Sequence, residues 1–262
     1  MSADAVIRSR SNPLVQRARA VVAGKERGVI ALEGERLVED ALRGGRELEV
    51  VLVAHDRADL ADSLAKRRVR VQLLDAELVA HVSSLETSPG ILALAPTPVG
   101  FDPATLPLDA RTLVLVVAGI ADPGNLGALS RAAEAFGVTA LVVLSGSASP
   151  WNGKALRGSM GSLLRLPVAH GLEAEACAKL LAQRHVRQVC AATRDGADPT
   201  RFDWKGPLAL WVTGETGSIP EAAARFERLT IPIAAGVESL NVTVAASVLL
   251  FSAGRVRSDG RG

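Results

Sequence analysis

The sequence predicts an α/β protein whose C-terminal half is an open parallel sheet, preceded by a smaller α/β layer. Three observations carry this. Short apolar runs alternate with longer amphipathic stretches along most of the chain, the pattern of strands and their covering helices. The run Leu113-Val114-Leu115-Val116-Val117 is apolar without interruption, which suits a strand buried on both faces of a parallel sheet. Between the halves, Pro96, Pro98, Pro103 and Pro107 fall in a stretch of low periodicity that neither a helix nor a central strand tolerates.

Taken in order, residues 13–22 predict a helix with Asn12 as cap and Pro13 at its first position. Residues 29–32 read as a strand, and a helix runs from Gly34 through Leu42 until Gly44-Gly45 ends it. A strand over 50–53, a helix over 60–66 and a strand over 69–73 follow. Asp75 caps a short helix through His81, and 90–95 is a further strand. The domain boundary falls at 97–110, dividing a domain over 1–96 from one over 111–262. In the second domain, strands are expected at 113–117, 140–144, 187–192, 208–212 and 229–233, with helices over 126–136, 173–183 and 242–252. Ligands of such sheets sit beyond the carboxyl ends of the strands.

Composition narrows the class. With 262 residues the chain can hold two small domains, and 48% hydrophobic residues suffice for their cores. No apolar run is long enough to span a membrane, and the N-terminus has no signal-peptide core, so a cytoplasmic protein is expected. Cys177 and Cys190 lie in apolar contexts and read as buried free thiols. The four histidines are scattered, which predicts no metal site. A net charge of +2 does not by itself indicate nucleic acid, although most of the basic residues are arginine, suited to phosphate.

Three segments carry chemistry. Asp122-Pro123-Gly124-Asn125 through Arg131 follows a buried strand and opens a helix, with Asn125 placed to cap it. On this segment alone, an ordinary capped helix with an exposed arginine explains the residues equally well. Leu210-Trp211-Val212-Thr213-Gly214-Glu215-Thr216-Gly217-Ser218 runs a strand into glycines that permit close approach to a bulky ligand, before a helix expected near Pro220. It is neither a dinucleotide fingerprint nor a P-loop. Ile231-Pro232 through Ser239-Leu240-Asn241-Val242 joins a strand to a helix and places two polar groups where one cap suffices.

Together, in this order and spacing, the segments resemble the signature motifs of the SpoU (TrmH-like) family of RNA 2′-O-ribose methyltransferases in the SPOUT superfamily. Lys154-Ala155-Leu156-Arg157-Gly158-Ser159-Met160-Gly161-Ser162 through Pro167 resembles that family too, and the likeness extends over residues 111–253. Ser11-Asn12-Pro13 and Glu33-Gly34 more loosely resemble the L30e-like substrate-binding domain that often precedes the catalytic one.

The resemblance implies a C-terminal domain closed by a deep trefoil knot, an exception to the usual absence of knots. It implies S-adenosylmethionine as cofactor, structured RNA (ribosomal RNA foremost) as partner, and a homodimer through the catalytic domain. By motif, Thr193, Thr213, Gly214, Ile231 and Leu240 would hold the cofactor. Arg131 would be the key catalytic residue, with Asn125, Glu215, Ser239 and Asn241 around it. Arg8, Arg10, Arg17, Arg19, Lys25 and Arg27 would meet RNA phosphates. Departures from the family pattern stand at Thr213 and Ser218, where glycine is usual, and at Ser252, where glutamate is common. A tRNA methyltransferase or a non-catalytic RNA-binding protein of the same fold are the competing readings. A nicotinamide-dependent oxidoreductase ranks last, because the turn after residues 113–117 lacks the glycine pattern.

Overall fold

The computed structural model describes residues 6–214 and 220–258. The chain divides into two compact units. The first comprises the chain up to Pro98 together with Trp151–Leu164, and the second Val99–Pro150 and the chain from Arg165 onward.

The first unit contains α1 (Pro13–Val22), β1 (Val29–Glu33), α2 (Glu35–Arg43), β2 (Val50–Ala54), α3 (Ala58–Lys66), β3 (Val71–Leu74), α4 (Ala76–Val82) and β4 (Ile91–Pro96). Asn12 caps α1 by accepting from the Leu14 amide, with Pro13 in the first turn, where a missing N–H costs nothing. The spacing of Val15, Ala18 and Val21 puts them on one face, which packs on Val50, Leu52, Leu92 and Leu94. Asp75 caps α4 by accepting from the Glu77 amide. The sheet runs β1-β4-β2-β3. It is mixed: β4 pairs antiparallel with β1 and β2, whereas β2 and β3 are parallel.

The second unit opens with β5 (Leu113–Ala118), α5 (Pro123–Ala135) and β6 (Ala140–Leu144). The chain then supplies α6 (Gly153–Gly158) and most of α7 (Ser162–Arg165) to the first unit, although the sequence assigns these residues to the C-terminal domain. There Ala155 and Leu156 are fully buried. Arg157 donates to the buried Glu33 carboxylate at 3.0 Å, which also accepts from the Ser83 hydroxyl at 2.7 Å and the Ser84 amide at 3.0 Å. A buried carboxylate persists because donors surround it.

Beyond α7 come β7 (Val168–Leu172), α8 (Ala174–Gln183), β8 (Arg187–Ala191), β9 (Leu208–Thr213), β10 (Glu227–Leu229) and α9 (Val242–Ser258). The six strands lie in the order β10-β8-β9-β5-β6-β7, every adjacent pair parallel. Val114, Val116 and Ala118 of β5 share a core with Cys177 and Leu181 of α8. Strand periodicity turns Leu113, Leu115 and Val117 to the opposite face. Helices α5 and α9 pack on each other, burying Leu126, Leu129 and Ala133 of one and Ala246, Leu249 and Leu250 of the other. This α/β fold on a parallel sheet agrees with the sequence expectation.

Four local expectations are corrected. Asn125 does not cap α5: the helix starts at Pro123, and Asp122 is its cap, accepting from the Asn125 amide at 2.8 Å. The strand expected over 229–233 lies at Glu227–Leu229, since Pro232 has no N–H for a ladder. Among the described residues near Pro220, a single 3-10 turn, Glu221–Ala223, stands where a helix was expected. Strand β7 was not anticipated, because His170 and Gly171 interrupt its apolar run.

Candidate functional site

The candidate site lies where parallel sheets place ligands, beyond the strands' carboxyl ends. A pocket of about 650 Å³ opens there within the second unit, a volume suited to a cofactor-sized molecule. The exits of β8, β9 and β10 and the entry to α9 form its wall. Apolar groups from Val212, Leu229, Ile233, Val242 and Ala246 line much of it.

Backbone packing builds this wall. Gly214 ends β9 beside the loop that leaves β5, and its amide donates to the Ala118 carbonyl at 2.9 Å. A Cβ on Gly214 would collide with the Gly119 carbonyl oxygen and lie 2.8 Å from its carbon. The close approach that requires glycine at 214 is to the neighbouring backbone rather than to a ligand. At the entry to α9, the Asn241 side chain accepts from the Thr243 amide at 2.9 Å and caps the helix. The Thr243 hydroxyl donates to the Asn125 carbonyl at 3.3 Å, joining the first turns of α9 and α5.

All five residues expected to hold the cofactor, Thr193, Thr213, Gly214, Ile231 and Leu240, line this pocket. Of those expected to surround the chemistry, Ser239 and Asn241 line it as well. Asn125 and Arg131 are not among the lining residues. Arg131 is exposed on α5 and has no ion-pair partner among the described residues. Glu215 and Ser218 lie outside the described residues.

Sequence reasoning missed Arg194, Asp195 and Arg228, the charged side chains on the lining. For Arg194 and Asp195 the signal was positional, since they follow a strand of a parallel sheet on the side where ligands bind; Arg228 lies within the short β10 and offered none. Beneath them, burial pushes the Cys190 thiol up to about 11, with Arg228 pulling the other way, and the Cys177 thiol up to about 12. Both are inert core groups rather than nucleophiles.

Basic residues of the first unit divide by environment. Arg17 pairs with Glu26 at 2.8 Å and Glu49 at 2.7 Å, and hydrogen bonds to these two carboxylates raise its pKa. Its guanidinium is thus engaged within the unit, while its side chain stays partly exposed. Arg8, Arg10, Arg19, Lys25 and Arg27 remain exposed.

A parallel α/β unit in which the end of β9, the turn after β8 and the segment entering α9 line one pocket at the strand ends has the form of a nucleotide-cofactor-binding domain. The chain belongs to the SpoU rRNA Methylase family, whose model matches residues 112–251. It is 30% identical over 252 residues, 94% of this chain and 97% of the relative, to the 23S rRNA (guanosine(2553)-2′-O)-methyltransferase RlmP of Bacillus subtilis. It is 32% identical over 199 residues, 72% of this chain and 78% of the relative, to the 23S rRNA (guanosine-2′-O-)-methyltransferase RlmB of Ralstonia nicotianae. Among solved structures, the SpoU methyltransferase AviRb of Streptomyces viridochromogenes in complex with AdoMet superposes with a TM-score of 0.85 at 25% identity, covering 95% of this chain and 100% of that one.

Proposed function

We propose that this protein transfers the methyl group of S-adenosylmethionine to a ribose 2′-hydroxyl of 23S ribosomal RNA. The observation that carries this is the convergence of Thr193, Thr213, Gly214, Ile231, Ser239, Leu240 and Asn241 on one pocket at the strand ends. The fit to the cofactor is chemical: apolar walls suit an adenine, backbone groups at the strand ends can meet its polar edge, and charged residues at the rim suit an amino acid. Family membership and the RlmP and RlmB likenesses support ribosomal RNA over tRNA as substrate.

S-adenosylmethionine supplies a methyl group already activated on a sulfonium, so the protein's work is alignment and charge stabilisation. The pocket residues orient the donor. Arg131, exposed on α5, grips the target phosphate and stabilises the alkoxide that develops as the hydroxyl gives its proton to solvent water. A guanidinium stays protonated in proteins, so Arg131 acts as a fixed cation rather than a base. Asn125 belongs to the surroundings of that hydroxyl; Glu215, assigned there by motif, lies outside the described residues.

The remaining parts of the reading concern architecture. The C-terminal domain is closed by a deep trefoil knot, as in the family it resembles. Residues 1–96 form an L30e-like module, linked by 97–110, whose exposed arginines contact RNA phosphates. The protein works in the cytoplasm as a homodimer assembled through the catalytic domain. Among the described residues, no helix is long and apolar enough to cross a membrane.

The decisive experiment is transfer of a radiolabelled methyl group to purified rRNA and tRNA by wild type and Arg131→Ala. Label in rRNA is expected, falling by about a hundredfold or more in the variant, the scale for losing a transition-state charge contact. Label confined to tRNA would overturn the substrate, and undiminished transfer by Arg131→Ala would overturn the role of that residue.

A further inference from the structure

The turn that leaves β8 stands out from the rest of the pocket wall. Thr193, Arg194 and Asp195 all line the pocket, and all three are exposed. The turn is held in place from behind. The Ala192 amide donates to the Leu229 carbonyl at 2.9 Å, the Ala197 amide to the Arg228 carbonyl at 2.8 Å, and the Thr230 amide to the Ala197 carbonyl at 3.0 Å. Gly196 is wedged against the same strand: a Cβ there would come within 2.6 Å of the Thr230 hydroxyl and 2.8 Å of the Arg228 carbonyl. Asp195 adopts a left-handed backbone, φ 58°, which is unfavourable for a residue with a side chain. Such strain persists where the surroundings over-determine it, and it gathers at ligand sites.

A rigid turn therefore presents one cation and one anion, adjacent in sequence, to the pocket. Neither Arg194 nor Asp195 has an ion-pair partner among the described residues. Much of the wall is apolar, and Arg228 adds a second cation to the rim. The proposed cofactor has a matching polarity: its nucleoside end carries no formal charge, and its amino-acid end carries an ammonium and a carboxylate.

Resting on the cofactor reading above, we propose that this turn is the clamp for the amino-acid end of S-adenosylmethionine, with Asp195 accepting from the α-ammonium and Arg194 donating to the α-carboxylate. Both groups are also present in the product, S-adenosylhomocysteine, so the clamp sets the position and affinity of donor and product alike. It leaves the choice between them to groups nearer the sulfur. Fixed charges on a pinned turn lose little freedom on binding, the condition under which ion pairs contribute affinity.

Calorimetric titration of the full chain with three ligands tests this: S-adenosylmethionine, S-adenosylhomocysteine, and 5′-methylthioadenosine, which has the nucleoside and sulfur but no amino-acid end. The variants are Asp195→Asn, which retains tolerance for the left-handed backbone, and Arg194→Gln. Each is expected to weaken the first two ligands by about tenfold or more, the scale for a lost charged hydrogen bond, and to leave 5′-methylthioadenosine within about twofold. Equal losses for all three ligands, or no loss for any, would overturn the clamp. If the wild type bound none of them, the cofactor reading itself would fail and the clamp with it.

Discussion

Arg19 and His81 make contact in the first unit, with Nη1 of Arg19 3.0 Å from Nε2 of His81. A guanidinium can only donate, so Nε2 accepts and the imidazole is neutral, with its proton on Nδ1. Desolvation, then the charges of Arg19 and Arg10, lower the His81 pKa from its ordinary 6.5. The sign follows from linkage: the unfolded chain takes up this proton first as pH falls through about 6.5, so the fold loses stability down to the lower native midpoint. NMR titration of His81 is expected to give a midpoint below 6.5, moving up in Arg19→Ala. A midpoint that ignores the substitution would refute the pairing. Residue-scale legibility was uneven for physical reasons. Asn12 and Asp75 could be read as caps because a polar side chain precedes an amphipathic run. Asn125 misled because Pro123 already marks the first helical position, which leaves the cap to Asp122. Arg17 read as free because Glu49, half of what neutralises it, lies far along the chain.

At the scale of elements, the contact between the end of β9 and the loop after β5 is the tightest constraint on the site. The atoms a new side chain would meet at Gly214 are backbone and cannot rotate away. Gly214→Ala should therefore cost about 1–3 kcal/mol, the range for overpacking. It should also weaken S-adenosylmethionine binding, because the displaced strand end is part of the pocket wall. Urea denaturation and calorimetry of the same variant check both effects, and a variant with wild-type stability would show that the two loops can separate freely. Strands with continuous apolar runs, such as β5 and β6, were legible because both faces are buried. Edge strands were not. β7 lies at one edge of the sheet and β10 at the other, where beyond β8 it meets an isolated bridge at Ala197. With less to bury, β7 tolerates His170 and Gly171, and β10 is three residues long with two of them exposed. The apolar pair Ile231 and Ile233, read as a strand, instead lines the pocket.

For the whole molecule, α9 bears on the assembly state. Val244, Val248 and Phe251 recur at the spacing of one helix face and are 49%, 40% and 50% exposed. The Phe251 ring meets Phe136 edge-on at 5.9 Å, carrying the apolar surface toward the end of α5. Such a stripe suits a self-complementary interface related by a two-fold axis. Sedimentation analysis is expected to find the wild type dimeric and Phe251→Glu monomeric. A wild type that stays monomeric at micromolar concentration would remove the dimer from the proposed function. At this scale the sequence conveyed the order of elements and the presence of two α/β layers. It did not convey which core receives residues 151–164, since a buried Leu156 or Leu163 fits either core by polarity alone.

That interleaving bears on how the protein is made. The first unit has Ala155 and Leu156 in its interior and Arg157 on its buried Glu33, yet Val99–Pro150, with three elements of the second sheet layer, must be synthesised between its two pieces. At roughly 5–20 residues per second, the nascent N-terminal portion waits several seconds on the ribosome for its last segment. Throughout that interval the Glu33 carboxylate lacks its arginine and part of an apolar surface stays uncovered. Translation speed between codons 99 and 164, not only chain stability, thus governs how long the half-made first unit is open to chaperones and proteases.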